Sequence, residues 1–147
     1  MNAENDLMKL YSGKILALAS DIPRIGRLDQ PDGSSKQRSP LCGSTVTVDV
    51  NMEDGRVSNY AQDIKACALG QAAAAVVGAV AIGLTEGEVI KARNQLEAML
   101  KSGGPVPDAP FEGFEVLVPA REFKNRHASI LLTLNALCAA IANSKPK

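Results

Sequence analysis

The succession of apolar patterns predicts an α+β fold: a small antiparallel β-sheet of about three strands with helices packed on one face. Three observations predict it. Residues 44–52 alternate, with Val46, Val48, Val50 and Met52 on one side and Thr45, Thr47, Asp49 and Asn51 on the other, which is the period of a half-buried strand. Glu53-Asp54-Gly55 follows as a hairpin turn, with Asp-Gly the strong part of the signal. From about residue 68 the apolar period lengthens to that of a helix and recurs in three segments.

The elements follow in order. Leu7, Met8, Leu10, Tyr11, Ile15, Leu18 and Ala19 recur at helical spacing and predict an amphipathic helix over residues 5–20. Asp21-Ile22-Pro23 ends it, because proline disfavours helix in the residue before it. Residues 24–28 read as a short edge strand, and residues 30–40, with Pro31-Asp32-Gly33 and Ser34-Ser35, as a turn and a mobile loop. The strand over 44–52 returns after the Asp-Gly turn as a partner over residues 57–64. A helix is expected from about Ala68 to Ile82. Thr85-Glu86-Gly87-Glu88 then has the form of a capping box and opens a helix through Lys101. Ser102-Gly103-Gly104-Pro105 stops that helix, and the proline- and glycine-rich residues 103–115 read as a loop. Ile130, Leu131, Leu134, Leu137, Cys138 and Ile141 form the apolar face of a last helix from about Asn125 to Asn143. No internal repeat is visible.

A length of 147 residues argues for a single domain over residues 1–147, with a polar start (1–6) and a tail (143–147) expected to fray. With 46% apolar and 22% charged residues the composition is that of a globular chain. Sixteen basic and sixteen acidic side chains cancel, so the basic excess of a nucleic-acid binder is missing. Aromatics number two Tyr, three Phe and no Trp, which leaves little with which to stack bases. Ala66 to Leu84 is a 19-residue run without charge, the length of a membrane span. Its Ala- and Gly-rich composition instead predicts a buried core helix. Three cysteines are too few and too scattered for a disulfide scaffold. No secretory leader is expected, and a reducing cytoplasm is the expected setting.

Cys42 lies in Ser39-Pro40-Leu41-Cys42-Gly43-Ser44, a turn entering the first long strand, where Gly43 frees the backbone. Cys67 lies where the second strand gives way to a helix. A helix N-terminus carries partial positive charge and favours a thiolate, the form that attacks and that ligates metal. His127, the only histidine, stands in Arg126-His127-Ala128-Ser129 near the start of the last helix. Cys138, on the apolar face of that helix, reads as core. Along an unbroken helix it stands about 16 Å from His127, too far to share a metal with it. Gly78 to Thr85 has phosphate-loop spacing, but Leu84 stands where that loop needs its lysine. Asp21, Asp29 and Asp32 form no paired acid–base set. Buried cysteines commonly serve as small hydrophobes, so none of these residues identifies a metal site by spacing alone.

Taken in order, these motifs resemble a family. They are Ser39-Pro40-Leu41-Cys42-Gly43-Ser44, an alternating strand, an Asp-Gly hairpin, Ala66-Cys67-Ala68 before an Ala-rich helix, and Arg126-His127-Ala128-Ser129. The series is similar to the U-type iron–sulfur cluster assembly scaffolds, the NifU N-terminal domain and IscU-like proteins, over roughly residues 9–143. Tyr11-Ser12-Gly13 and Pro23-Arg24-Ile25-Gly26 also fit the family's N-terminal segment. The resemblance implies a NifU-like domain that binds iron or a labile [2Fe–2S] cluster, or carries sulfur, through Cys42, Cys67 and His127. It implies a cysteine desulfurase as sulfur donor and iron–sulfur recipient or carrier proteins as partners, with neither nucleic acid nor membrane involved. It implies no catalysis. Two positions depart from the family pattern: Ser44 stands for the Asp of Cys-Gly-Asp, and Ala128 for the third Cys. Three protein ligands leave a coordination place open, so zinc or iron with water or a sulfur donor also fits, as does a homodimer sharing one site. Two other readings remain: a degenerate scaffold kept as a metal-free protein-interaction module, and a thiol enzyme using a Cys–His pair.

Overall fold

The computed structural model describes residues 13–41 and 43–145. Its elements run α1 (helical over residues 13–19), β1 (Gly33–Arg38), β2 (Thr45–Glu53), β3 (Arg56–Lys65), α2 (Ala68–Val80), α3 (Glu86–Lys101), two 3-10 stretches (Glu112–Glu122 and Lys124–Arg126) and α4 (His127–Asn143). The sheet is an antiparallel meander in the order β1-β2-β3. The expected α+β class, with three strands and helices on one face, is the fold found.

The β2–β3 hairpin forms where alternation and turn chemistry place it. Asp54 and Gly55 both take positive φ, 52° and 76°, as a tight hairpin turn whose twist matches the strands requires. Val46, Val48 and Val50 point to the helices and are fully buried. α4 lies across β1 and β2, α2 lies against β3 and α4, and α3 packs on α4. The aliphatic core runs between them, with Ile130, Leu134, Leu137 and Ile141 of α4 at its centre.

The third strand is a correction. Residues 24–28 contribute only a single bridge, Ile25 to Gln62, and β1 instead forms at residues 33–38, inside the segment expected to be a mobile loop. Its sequence, Gly-Ser-Ser-Lys-Gln-Arg, has no apolar alternation. It is held by ladder bonds to β2 and by packing against α4, where a Cβ on Gly33 would collide with the Ala140 carbonyl. Asn143 Nδ2 donates to the Ser34 carbonyl at 2.9 Å and Lys145 Nζ pairs with Glu86 at 2.7 Å, so the end of α4 is tied to β1 and α3.

Two further boundaries move. The expected loop 103–115 gives way at Glu112 to the first 3-10 stretch, which buries Phe114, Leu117 and Ala120. Their spacing of three matches a helix of three residues per turn. α4 then begins at His127 instead of Asn125. The capping box of α3 is present as expected: Thr85 Oγ1 accepts from Glu88 N at 3.2 Å, and Glu88 Oε1 accepts from Thr85 N at 3.0 Å. No helix among the described residues is long and apolar enough to cross a membrane. The Ala-rich run is α2, with Ala72 to Gly78 buried.

The sheet's outer face carries a feature that alternation alone does not show. Asp49 was expected on the polar side of β2, yet its side chain is fully buried. Residues 24–32 cross this face as a strap. Arg27 grips the carboxylate with two hydrogen bonds, 2.7 and 3.1 Å. Leu28 N donates to it at 3.0 Å and Ser34 Oγ at 2.6 Å. Burial alone would raise this carboxyl's pKa, but the hydrogen bonds from Arg27, Ser34 and Leu28 outweigh it and hold the group below the ordinary carboxylate value. The same strap is laced to β3 by Gly26 N to the Gln62 carbonyl (2.9 Å) and Gln62 N to the Arg24 carbonyl (3.0 Å).

Candidate functional site

Three chain crossings meet at one end of the sheet. Thr45 opens β2 opposite Lys65, the last residue of β3, so the segments 39–44 and 66–67 leave the sheet side by side. The first is a closed loop: Ser39 N donates to the Ser44 carbonyl at 2.8 Å, and Gly43 N to the Ser39 carbonyl at 2.9 Å. Gly43 has φ 68°, a left-handed conformation suited to glycine. Cys42, within this loop, lies outside the described residues. Leu41 beside it is 73% exposed.

Cys67 caps the N-terminus of α2. Its backbone is extended, its side chain makes no capping bond, and its carbonyl accepts the first helical bond from Gln71 N at 2.9 Å. Gln71 Nε2 also donates to the Ala66 carbonyl at 3.0 Å, which fixes the approach of the chain. The thiol is half-buried. It sits where the partial positive charge of α2 is concentrated, as its place in the sequence suggested.

The start of α4 closes the group. Ser129 Oγ donates to Ser44 Oγ at 3.1 Å and lies 3.5 Å from Cys67 Sγ. This run of three polar atoms joins the loop that carries Cys42, the cap of α2 and the helix that starts with His127. Gly70, one turn into α2, makes room for it: a Cβ there would fall 2.8 Å from Ser129 Oγ. Sequence reasoning quoted Ser129 inside its motif but gave it no role. A polar residue two positions after His127, in a largely aliphatic helix, was the available signal.

His127 is buried, and its Nε2 lies 3.0 Å from the Ala120 carbonyl. A carbonyl only accepts, so Nε2 carries a hydrogen and donates it, which leaves Nδ1 as the nitrogen not engaged by this carbonyl. Histidine ligands to metals commonly have this arrangement, one ring nitrogen donating to a carbonyl while the other binds. Ala128 is half-buried at the first turn of α4, and Ser44 is buried. Among the described residues no three His, Cys, Asp or Glu side chains are grouped as a metal site. Cys138 lies partly buried against the core, where burial pushes its thiol pKa up. It sits on the same unbroken helix as His127 and eleven residues further on.

No family model matches the chain. The iron–sulfur cluster assembly scaffold proteins IscU 1 and IscU 2 of Archaeoglobus fulgidus are each 27% identical over 82 residues, 56% of this chain and 51% of theirs. The chain thus matches about half the length of those curated relatives. The crystal structure of a nitrogen-fixing NifU-like protein (N-terminal) from Brucella abortus superposes with a TM-score of 0.89 at 43% identity, covering 92% of this chain and 94% of that one. A putative scaffold protein for the SUF system from Fervidobacterium islandicum AW-1 superposes at 0.79 with 20% identity over 91% of this chain and 98% of its own, a likeness of fold.

Proposed function

This chain belongs to the U-type iron–sulfur cluster scaffold family, of the NifU N-terminal type, and from that premise we propose that it holds iron or a labile [2Fe–2S] cluster as cargo. Cys42 and Cys67 supply thiolates and His127 supplies its Nδ1 nitrogen. Sulfur comes from a cysteine desulfurase, and the cargo passes to iron–sulfur recipient or carrier proteins. The protein acts as an assembly platform in the cytoplasm and catalyses no turnover of its own.

One observation supports this most directly. Ser44, Cys67 and Ser129 form a continuous polar contact, so three motifs far apart in the chain converge, and Cys42 and His127 each stand two residues from a member of it. The donor chemistry suits the cargo, since thiolate and imidazole both bind iron and zinc. With Ser44 and Ala128 at the two divergent positions, a [2Fe–2S] cluster lacks a full set of protein ligands. That favours a loosely held cluster, easily passed on.

The test is metal and acid-labile sulfide content after anaerobic purification, then reconstitution with iron, cysteine and a desulfurase, followed by visible absorption. The expected result is iron and sulfide per chain that is lost in Cys42→Ser and Cys67→Ser. Variants that reconstitute as well as the parent would sink the ligand assignment. A second reading, a metal-free interaction module, draws on the two positions, Ser44 and Ala128, where the family's usual ligands are replaced. It predicts no metal above trace and no chromophore.

A further inference from the structure

Resting on the scaffold reading above, we propose that Ser129 is a positioning residue, whose hydroxyl donates a hydrogen bond to the Cys67 sulfur when that sulfur holds metal. The argument begins with burial. Ser129 is 1% exposed and Ser44 is 4% exposed, so neither hydroxyl at this spot can rely on bulk water. A serine hydroxyl has one hydrogen and two lone pairs. Ser129 Oγ gives its hydrogen to Ser44 Oγ at 3.1 Å, which leaves a lone pair towards Cys67 Sγ at 3.5 Å. Either atom of that contact can be the donor, so a thiol hydrogen can lie on Ser129 Oγ.

Metal binding removes the thiol hydrogen, which leaves to solvent. Sulfur and Ser129 would then face each other without a hydrogen between them. Rotation about the Ser129 Cβ–Oγ bond turns its hydrogen onto the sulfur. No heavy atom has to move. Gly70 permits the arrangement, because any side chain there would press on Ser129 Oγ. Hydrogen bonds to ligating atoms orient them and tune the bound metal or cluster, and Ser129 is placed to do both for Cys67.

The experiment is anaerobic titration of the full chain with cobalt(II), following the thiolate-to-metal charge-transfer band. Ser129→Ala should weaken cobalt binding about tenfold and move the band to longer wavelength, because a hydrogen bond to charged sulfur no longer lowers its lone pair. Ser129→Thr, which keeps the hydroxyl, should stay near the parent. Ser129→Val, of the same shape as threonine without the hydroxyl, should repeat the alanine result; this pair settles the matter even if alanine disturbs folding. Ser44→Ala should leave the band in place, since Ser129 can still donate to sulfur. A band and affinity that match the parent in Ser129→Ala and Ser129→Val overturn the role of Ser129 and leave the scaffold reading intact. Equal shifts in the threonine and valine variants, or a full shift in Ser44→Ala, trace the effect to packing and also overturn it. A parent with no charge-transfer band, or a Cys67→Ser variant that keeps the whole of it, removes Cys67 as a ligand, and both proposals fall together.

Discussion

Replacing Asp49 by asparagine probes the buried carboxylate under the strap while keeping its shape. The carboxylate accepts four hydrogen bonds, two from Arg27 and one each from Leu28 N and Ser34 Oγ. An asparagine offers one oxygen and two N–H donors. Its oxygen can keep the Leu28 amide, but its NH₂ then faces the Ser34 hydroxyl and an Arg27 nitrogen. Losing the charge costs roughly 1 kcal/mol at each of the Leu28 and Ser34 bonds, the difference between charge-assisted and neutral hydrogen bonds. The Arg27 side chain is 57% exposed, so its own loss is largely made good by water. The expected cost of Asp49→Asn near neutral pH is therefore about 2 kcal/mol, or about 4–8 °C in Tm for a chain of this length.

The dependence on pH has a definite sign. The native carboxyl titrates below its ordinary value because the hydrogen bonds from Arg27, Ser34 and Leu28 outweigh burial. Its stabilisation is therefore complete above the unfolded value of about 3.9 and is lost as pH falls through the lower native value. Thermal unfolding of parent and variant, followed by circular dichroism from neutral pH down to about pH 3, should show a Tm gap that is constant at first and then narrows below about pH 4. Amide exchange at Leu28 should quicken in the variant at neutral pH. A variant within 0.5 kcal/mol of the parent, or a gap that does not narrow in acid, would refute the reasoning.

Three further outcomes are expected. Gly70→Ala places a methyl 2.8 Å from both Ser129 Oγ and Ala66 Cβ; overpacking should outweigh the gain in helix propensity and destabilise the chain by about 1–2 kcal/mol in urea unfolding. Thr85→Ala removes the hydroxyl half of the capping box and should cost about 1 kcal/mol, with the earliest loss of exchange protection in the first turn of α3. Thr133 Oγ1 is buried with no hydrogen-bond partner among the described residues, so Thr133→Val should be neutral or stabilising by up to about 1 kcal/mol in the same urea assay. A clear loss there would reveal a partner such as a buried water.

The parts of the fold that write themselves into residue periodicity were legible in the sequence. The β2–β3 hairpin, the capping box of α3 and the aliphatic face of α4 all rest on local chemistry, and all stand where that chemistry puts them. β1 did not announce itself, because Gly-Ser-Ser-Lys-Gln-Arg becomes a strand only by lying between β2 and α4. The 3-10 stretch did have a signal, Phe111, Phe114, Leu117 and Ala120 at every third position, but three prolines and the glycines before it suggested a loop. Asp49 was placed on the polar face by alternation, and only the strap, a tertiary contact, buries it. At the candidate site, motif order picked out the three segments that converge. Ser129 and Gly70 were missed because their significance lies in which residue they touch across the fold, and no spacing along the chain encodes that.

The strap also governs how this protein can associate with copies of itself. A three-stranded meander has two outer strands, and each is a template onto which a foreign strand could add. Lys36 and Arg38 guard β1 with charge, and the end of α4 takes up its Ser34 carbonyl. β3 is covered at its start by residues 83–85, which hold the N–H and the carbonyl of Val57, and further along by the strap, whose backbone holds those of Gln62. The grip on Asp49 thus serves colloidal stability as well as folding. A chain whose strap came loose would keep its hairpin and bare the part of that edge around Gln62, so self-assembly into aggregates would be the earliest visible consequence.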